Sequence, residues 1–398
     1  MSFDMTAAFR DGLPAAPGRW QEPPEYSFVG GNNDAESIPF GSLAEAAVSV
    51  LKREGRALAT YNLGGSPLGY LPLRQFVVDA LGTRASMTVD PDEVLLTSGS
   101  LQALDLVNEA LLSPGDTVLI EQATYGGMVS RLQRLGVTYI GVDLDDDGID
   151  PLHLRKILTD LASEGITPKY LYTIPTVQNP TGTVMPLERR RQVLEVVRAF
   201  GVPVFEDDCY ADLLWEGDRP PSLRALDDGG GQVIYCGSFS KTIAPALRVG
   251  YLVADQPVIR QLLALKTDAG SGALEQLTLA EFAPTHFDAH VERLMAALKA
   301  KCDAMMAAVA RELPDAEVRA PHGGIYIWLT FPEGVDTGSF AGAAADAGIE
   351  FNPGAGWSAD PAWGARRLRL CFGQADAATI DAGVAALGRV YRQARMTS

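Results

Sequence analysis

Apolar and polar positions alternate along this chain in two rhythms. Residues 41–56, "GSLAEAAVSVLKREGR", and 69–84, "GYLPLRQFVVDALGTR", repeat apolar residues at the period of an amphipathic helix. From residue 93 short apolar runs alternate with helical stretches. "EVLLTSG" precedes "SLQALDLVNEALL", "DTVLIEQ" precedes "TYGGMVSRLQRLG", and "KYLYTIPTV" precedes "LERRRQVLEVVRAFG"; "PVFEDD", "VIYCGSF" and "RVGYLVA" complete the set. This alternation predicts βαβ units, and so an α/β protein with a mostly parallel sheet flanked by helices. Residues 255–311 have a mainly helical pattern. The tail mixes strand patterns ("EVRAPHGGIYIWLTF", "RRLRLCFG") with helical ones ("SFAGAAADAG", "AATIDAGVAALGRVYRQAR"). The expected division is a large domain over 59–285 and a smaller α+β domain over 286–398. Residues 1–58 are expected to supply an arm and part of the small domain. The Pro- and Gly-broken start, residues 1–28, reads as a mobile arm that docks later.

Composition narrows the function. A length of 398 residues suits two domains, and 47% hydrophobic with 21% charged residues is a soluble globular balance. The net charge of −17 argues against a nucleic-acid partner, because phosphate recognition needs basic surface. No signal-peptide core or membrane-length apolar run occurs, so no membrane partner and a cytoplasmic location are expected. Cys209, Cys236, Cys302 and Cys371 lie far apart without a CxxC pair, which favours reduced thiols over a zinc cage.

Several patterns look chemical and are better read as structure. "DLDDDGID" sets Asp143, Asp145, Asp147 and Gly148 in step like a calcium loop, but the twelfth position falls on Leu154. An acidic turn is the better reading. His286 and His290 are four apart without an HExxH context, so no metal site is expected. Neither a GxGxxG opening a helix nor a GxxxxGK[ST] motif is present.

Three strand ends carry more. "SFSKTIAPALRVGY" puts Ser238 and Ser240 around Lys241's approach, with Arg248 seven residues on. Hydroxyls and a guanidinium fork suit a phosphate, and Lys241 is either a counter-charge or an amine that forms an imine. In "TSGSLQAL" the strand ends and a helix opens, offering amides to an anion; ordinary capping by Ser100 explains it equally. "FEDDCY" sets Glu206, Asp207 and Asp208 at a strand end, where a buried carboxylate needs a cation such as a protonated pyridine nitrogen. In "QNPTG", Asn179 can donate to a phenolate oxygen, and Tyr210 can share that contact.

With these parts the chain resembles the fold-type I, class I/II aminotransferases, in the branch of aminoadipate and kynurenine aminotransferases. The resemblance runs from "YNLGGSPLGYLPLR" to "RLRLCFG" and rests on SxSKxxxPxxRxGY, "QNPTG" and the DxxY of Asp207 to Tyr210. It implies a large domain built on a seven-stranded type of sheet, pyridoxal 5′-phosphate as cofactor, and amino-group transfer between an L-amino acid and a 2-oxo acid. Lys241 would carry the internal aldimine and then move the α-proton. Ser100, the Leu101 amide, Ser238, Ser240 and Arg248 would hold the phosphate, and Asp207 the pyridine nitrogen. Asn179 and Tyr210 would contact the ring oxygen, and Tyr125 would stack on the ring. Arg369 would grip the substrate carboxylate, with Arg367 as the neighbouring alternative on the same face. Gly31 and Asn179 would border the substrate. Tyr70 would reach the neighbouring subunit's phosphate, which implies a homodimer.

Departures from the family pattern are polar. "FVGGNNDAESIPF" replaces a Gly-x-Pro segment, and "TDAGSGALEQ" adds another acidic stretch. Either these line the pocket, favouring a basic or hydroxylated amino acid, or they are surface turns. The scaffold also supports decarboxylation, elimination and carbon–carbon bond formation, so another reaction on an amino acid stays open. A sensor domain fused to a DNA-binding helix-turn-helix is disfavoured by the charge and by the room ahead of residue 59.

Overall fold

The computed structural model describes residues 5–9, 13, 16 and 22–397. Most of the arm expected to be mobile therefore lies outside the described residues. Ahead of the main sheet come strand β1 (Tyr26–Ser27) and helices α1 (Phe40–Glu54) and α2 (Leu71–Ala85). Pro72 stands in the first turn of α2, where its missing N–H costs nothing, and Ser86 ends the helix in the left-handed region.

The chain then lays down β2 (Val94–Thr97), α3 (Ser100–Leu111), β3 (Thr117–Glu121), α4 (Gly126–Leu135) and β4 (Thr138–Val142). A hairpin of β5 (Leu144–Asp145) and β6 (Gly148–Ile149) leads into α5 (Pro151–Ser163). β7 (Leu171–Thr173), α6 (Leu187–Phe200), β8 (Val204–Asp207), α7 (Leu223–Leu226), β9 (Val233–Ser238) and β10 (Gly250–Val253) follow. Seven of these strands form one sheet in the order β2–β10–β9–β8–β7–β3–β4. Only β10 runs against its neighbours; β3, β4, β7, β8 and β9 pair in parallel. All strands but β4 are buried along their length, which is why they read as near-continuous apolar runs.

β4, the hairpin and α5 go beyond the expected elements. The chain leaves β3 for β4 on one side and returns to β7 on the other, so strand order reverses around β3. Ligands of open α/β sheets sit outside the carboxyl ends of strands at such a switch point.

After α8 (Gln256–Leu265), the 40-residue α9 (Ala273–Glu312) carries the chain into a second unit. There β11 (Glu317–Val318), β12 (Tyr326–Thr330), β14 (Asn352–Pro353) and β15 (Arg367–Cys371) form an antiparallel sheet in the order β11–β12–β15–β14. α10 (Ala341–Asp346), β13 (Ile349–Glu350), α11 (Pro361–Gly364) and α12 (Ala377–Thr397) complete it. β1 pairs in parallel with β13, which docks the end of the N-terminal segment on this unit.

The decoys are structural. Asp145 pairs with Arg189, Asp150 caps α5 and Leu154 is buried, so the acidic run is a turn and a cap. His286 is exposed, while His290 is buried with Nε2 2.7 Å from the Thr242 carbonyl. Among the described residues no helix is long and apolar enough to cross a membrane.

Candidate active site

The carboxyl ends of β2, β3, β7, β8 and β9 converge on one cavity of about 130 Å³. From α3 come Ser100, Leu101 and Leu104; from the loops after β3 and β7, Tyr125, Ile174 and Asn179; from β8 and beyond, Asp207, Cys209 and Tyr210. Ser240, Lys241, Pro245 and Arg248 close it after β9.

One end of the cavity is built for an anion. Gly99, not Ser100, is the N-cap of α3, at φ 75° and ψ 170°. That region is open essentially to glycine alone. A Cβ there would lie 2.2 Å from Arg248 Nη2, so the missing side chain lets the guanidinium rest on the helix start. Arg248 is itself left-handed at φ 53° and donates to the carbonyls of Pro245 and Ser98, both at 3.2 Å. Among the described residues it has no carboxylate partner. A cation laid against the positive end of a helix dipole is repelled unless an anion sits between them. Ser240 lines this end; Ser238 stands behind, its hydroxyl accepting from the Ser240 amide at 3.1 Å.

Strand alternation sorts the three acids of "FEDD". Glu206 turns away from the cavity, accepts from the Leu223 and Arg224 amides and lies 3.8 Å from Arg190. Asp208 pairs with Arg219 at 2.8 Å. Asp207 alone faces the cavity, accepting from the Tyr172 hydroxyl at 2.7 Å and the Cys209 amide at 3.4 Å. Burial pushes its pKa above the usual carboxylate value. It is a buried acid that lacks a cation, and a cationic ring nitrogen fits that need. Tyr210 packs edge-on against Tyr326, with centroids 5.1 Å apart, and Tyr125 meets Trp357 at 5.9 Å.

Lys241 donates to the Gly31 carbonyl at 2.7 Å and has no acidic partner among the described residues. Burial lowers its pKa, and Arg369 and Arg248 add to the effect. A Cβ on Gly31 would come within 2.8 Å of this amine, so the glycine is part of the cavity wall. Arg369, 2% exposed, donates to Asn179 Oδ1 at 3.1 Å, Asn352 Oδ1 at 2.9 Å and the Gly30 carbonyl at 2.5 Å. Its Nε is buried without a partner among the described residues, and its guanidinium lies 3.7 Å from the Trp357 ring. Arg367 instead stacks on Trp363 at 3.4 Å and lines a different cavity. Tyr70 does not line this cavity: its hydroxyl donates to Glu54, and burial with that acid raises its pKa to about 12.

Two acids of the polar segments are paired with lysines. Asp34 pairs with Lys301 and accepts from the Ser37 amide. Asp268 pairs with Lys266 and accepts from Gln102 Nε2. Neither Asp34 nor Asp268 is therefore a free charge for a basic amino acid. Trp357, Tyr172, Tyr326 and Asn352 were not anticipated; they reach the site only through tertiary packing.

Comparison with known proteins agrees with this geometry. The profile described as aminotransferase class I and II matches residues 31–387. The 2-aminoadipate transaminase of Thermus thermophilus is 36% identical over 379 residues, covering 94% of this chain and 91% of that protein. The structure of an α-aminoadipate aminotransferase from Thermus thermophilus, complexed with N-(5′-phosphopyridoxyl)-L-leucine, superposes with a TM-score of 0.86 at 34% identity. It covers 94% of this chain and 93% of that one. A multiple substrate aminotransferase from Thermococcus profundus gives 0.91 at 27% identity over the whole of both chains. The chain belongs to the class I and II aminotransferases, enzymes of amino-group transfer.

Proposed function

We propose that this enzyme moves an amino group between an L-amino acid and a 2-oxo acid with pyridoxal 5′-phosphate held in the cavity around Lys241. The observation that carries the reading is a donor set of matching polarity. An unpaired guanidinium lies on a helix start at one end, an unpaired buried carboxyl lines the wall, and an amine without an acid stands between them. When bound, the cofactor supplies an aldehyde for an amine and a conjugated ring that takes up the electron pair left at the α-carbon.

The chain's own residues do the rest. Arg248, Ser240 and the first amides of α3 hold the phosphate, with Ser238 fixing Ser240 from behind. Asp207 keeps the ring nitrogen protonated, and Tyr172 holds Asp207 in place. Asn179 has its oxygen engaged by Arg369, so its NH2 is left to donate to the ring oxygen beside Tyr210. Lys241, with a lowered pKa, takes the α-proton and returns it. The Arg369 fork binds the amino acid's carboxylate, where its unpartnered Nε supplies a further donor.

A homodimer fits the surface. Phe40, Leu58, Tyr61, Leu71 and Leu274 are large apolar side chains between 41% and 81% exposed on neighbouring segments around Tyr70. That is the sort of patch that a second copy covers. The four cysteines are free and buried, as suits a reducing cytoplasm.

The test is direct. Protein given pyridoxal 5′-phosphate should develop a visible band, and amino acids offered with 2-oxoglutarate, 2-aminoadipate first, should yield glutamate. No band, or a band with no amino transfer across the panel, overturns the reading.

A further inference from the structure

Glu121 touches none of the cavity, yet it is fully buried at the end of β3, where strand order reverses. Its carboxylate accepts from Thr173 Oγ1 at 2.6 Å, the Ile174 amide at 3.1 Å and Gln178 Nε2 at 2.8 Å. No cation pairs with it among the described residues; the titratable groups that face it are Asp207 on β8 and Tyr172 on β7. A buried acid without a counter-ion is costly, so its three donors mark a site held for a purpose beyond packing.

The donor from Gln178 leads to the active site. Gln178 is saturated: its NH2 also donates to the Ala123 carbonyl at 2.7 Å, and its oxygen accepts from the Thr181 amide and hydroxyl, both at 2.8 Å. Its backbone amide donates to the Thr183 carbonyl at 2.8 Å, closing the turn. Next to it Val177, β-branched, is held at φ 54°, a conformation that persists only where the surroundings impose it. Asn179 follows directly and takes the Arg369 fork.

We propose that Glu121 is a positioning residue that, through Gln178, clamps the turn carrying Asn179 to the end of β3 and the loop that leads on to Tyr125. The proposal rests on the functional reading above, in which Asn179 contacts the bound ring. Burial raises the Glu121 pKa to about 7, against the pull of its three donors. Protonated on the oxygen that faces Gln178 Nε2, the acid turns a hydrogen toward a group that only donates, and that link breaks; on the other oxygen the Thr173 hydroxyl reverses and keeps its bond. The clamp is thus complete above neutrality and weakens below it.

Glu121→Gln tests the clamp selectively. The amide oxygen keeps Thr173 and Ile174, while its NH2 confronts the NH2 of Gln178. In the cofactor-loaded enzyme, kcat is expected to fall between about tenfold and a hundredfold, as for a small misplacement of a reacting group. The pH midpoint of the bound cofactor's visible band should move by about half a unit or more, since a donor to the ring oxygen shifts. The acid limb of kcat near neutrality should vanish. The melting temperature of the cofactor-free protein should fall as well, because two buried donors lose their acceptor, so the band and the pH limb carry the decision. Gln178→Leu should reproduce the changes in kcat and band, and the double variant should be no worse than the worse single one. An unmoved band with kcat within about twofold in both single variants, or fully additive losses, overturns the proposal. If Glu121→Gln does not fold, Gln178→Leu decides alone by the same two readouts. A parent protein that forms no visible band removes the functional reading itself, and this proposal with it.

Discussion

Replacing Gly99 by alanine isolates the anion-binding end of the site. The new Cβ would stand 2.2 Å from Arg248 Nη2 and 2.7 Å from its Cζ, so the guanidinium must leave the start of α3. The backbone, at φ 75° and ψ 170°, also becomes strained, at about 1–3 kcal/mol. These two effects act on different measurements. The strain lowers the melting temperature, whereas the displaced Arg248 costs the phosphate a charge-assisted hydrogen bond of about 1.5–3 kcal/mol. That is a loss of cofactor affinity of roughly ten- to 150-fold. Gly115→Ala is the control: its φ of 89° carries similar strain, but nothing lies within 4 Å of the added Cβ. Cofactor-free protein is titrated with pyridoxal 5′-phosphate and followed by its visible absorbance. Gly99→Ala should bind weakly while Gly115→Ala binds as the parent does. Affinity for Gly99→Ala within about threefold of the parent would refute the placing of the phosphate between Arg248 and α3.

Lys241→Ala should lower turnover by at least about a thousandfold and abolish the band of the lysine-attached cofactor; retained turnover in steady-state assays would exclude the lysine as the base. The lowered Lys241 pKa means the folded chain binds fewer protons than the unfolded one below the ordinary lysine value of 10.5. Stability should therefore rise with pH toward that value and then level off, and cofactor-free Lys241→Ala, melted across the same pH series, should lose that part of the slope. Arg369→Lys replaces a three-bond fork by a point charge, so kcat/KM for the amino acid should drop about ten- to 150-fold, with a smaller loss of cofactor affinity through Asn179. Tyr61→Asp with Leu71→Asp should turn a dimer into a monomer in sedimentation equilibrium; a parent protein that is already monomeric removes the interface.

What the sequence could disclose follows from how each element is buried. Six sheet strands are covered on both faces and show as apolar runs. β4 lies at the sheet edge with only Val142 fully buried, and β5 and β6 have two residues each, too few for any period to show. Lys241, Asp207, Asn179 and Ser100 were legible as candidates because a parallel sheet sends its strand ends to one edge. Asp34 of "GNNDAE" was open to misreading because its partner Lys301 lies far along the chain; Asp268 of "TDAG" has Lys266 two residues before it, but its other partner, Gln102, is equally distant from any local pattern. Trp357 and Asn352 lie far along the chain from the strand ends they join, and no spacing rule links them.

The electrostatics tie the two ends of the cavity together. A chain with 50 acidic and 33 basic side chains has carboxylates to spare. Elsewhere among the described residues arginines take them: Arg189 with Asp145, Arg219 with Asp208, Arg224 with Asp255. Yet Lys241 and Arg248 line one cavity, Arg369 adjoins it through Asn179, and the hydrogen bonds of all three go to carbonyl and amide oxygens. Backbone carbonyls orient a cation without neutralising it. Among the described residues no carboxylate offsets Arg248 or Arg369, in keeping with the phosphate and substrate roles proposed for them. The same positive surroundings, added to burial, are what push the amine between them toward the neutral form that a base needs. A carboxylate placed near any of the three would hold it more tightly and weaken all three functions at once.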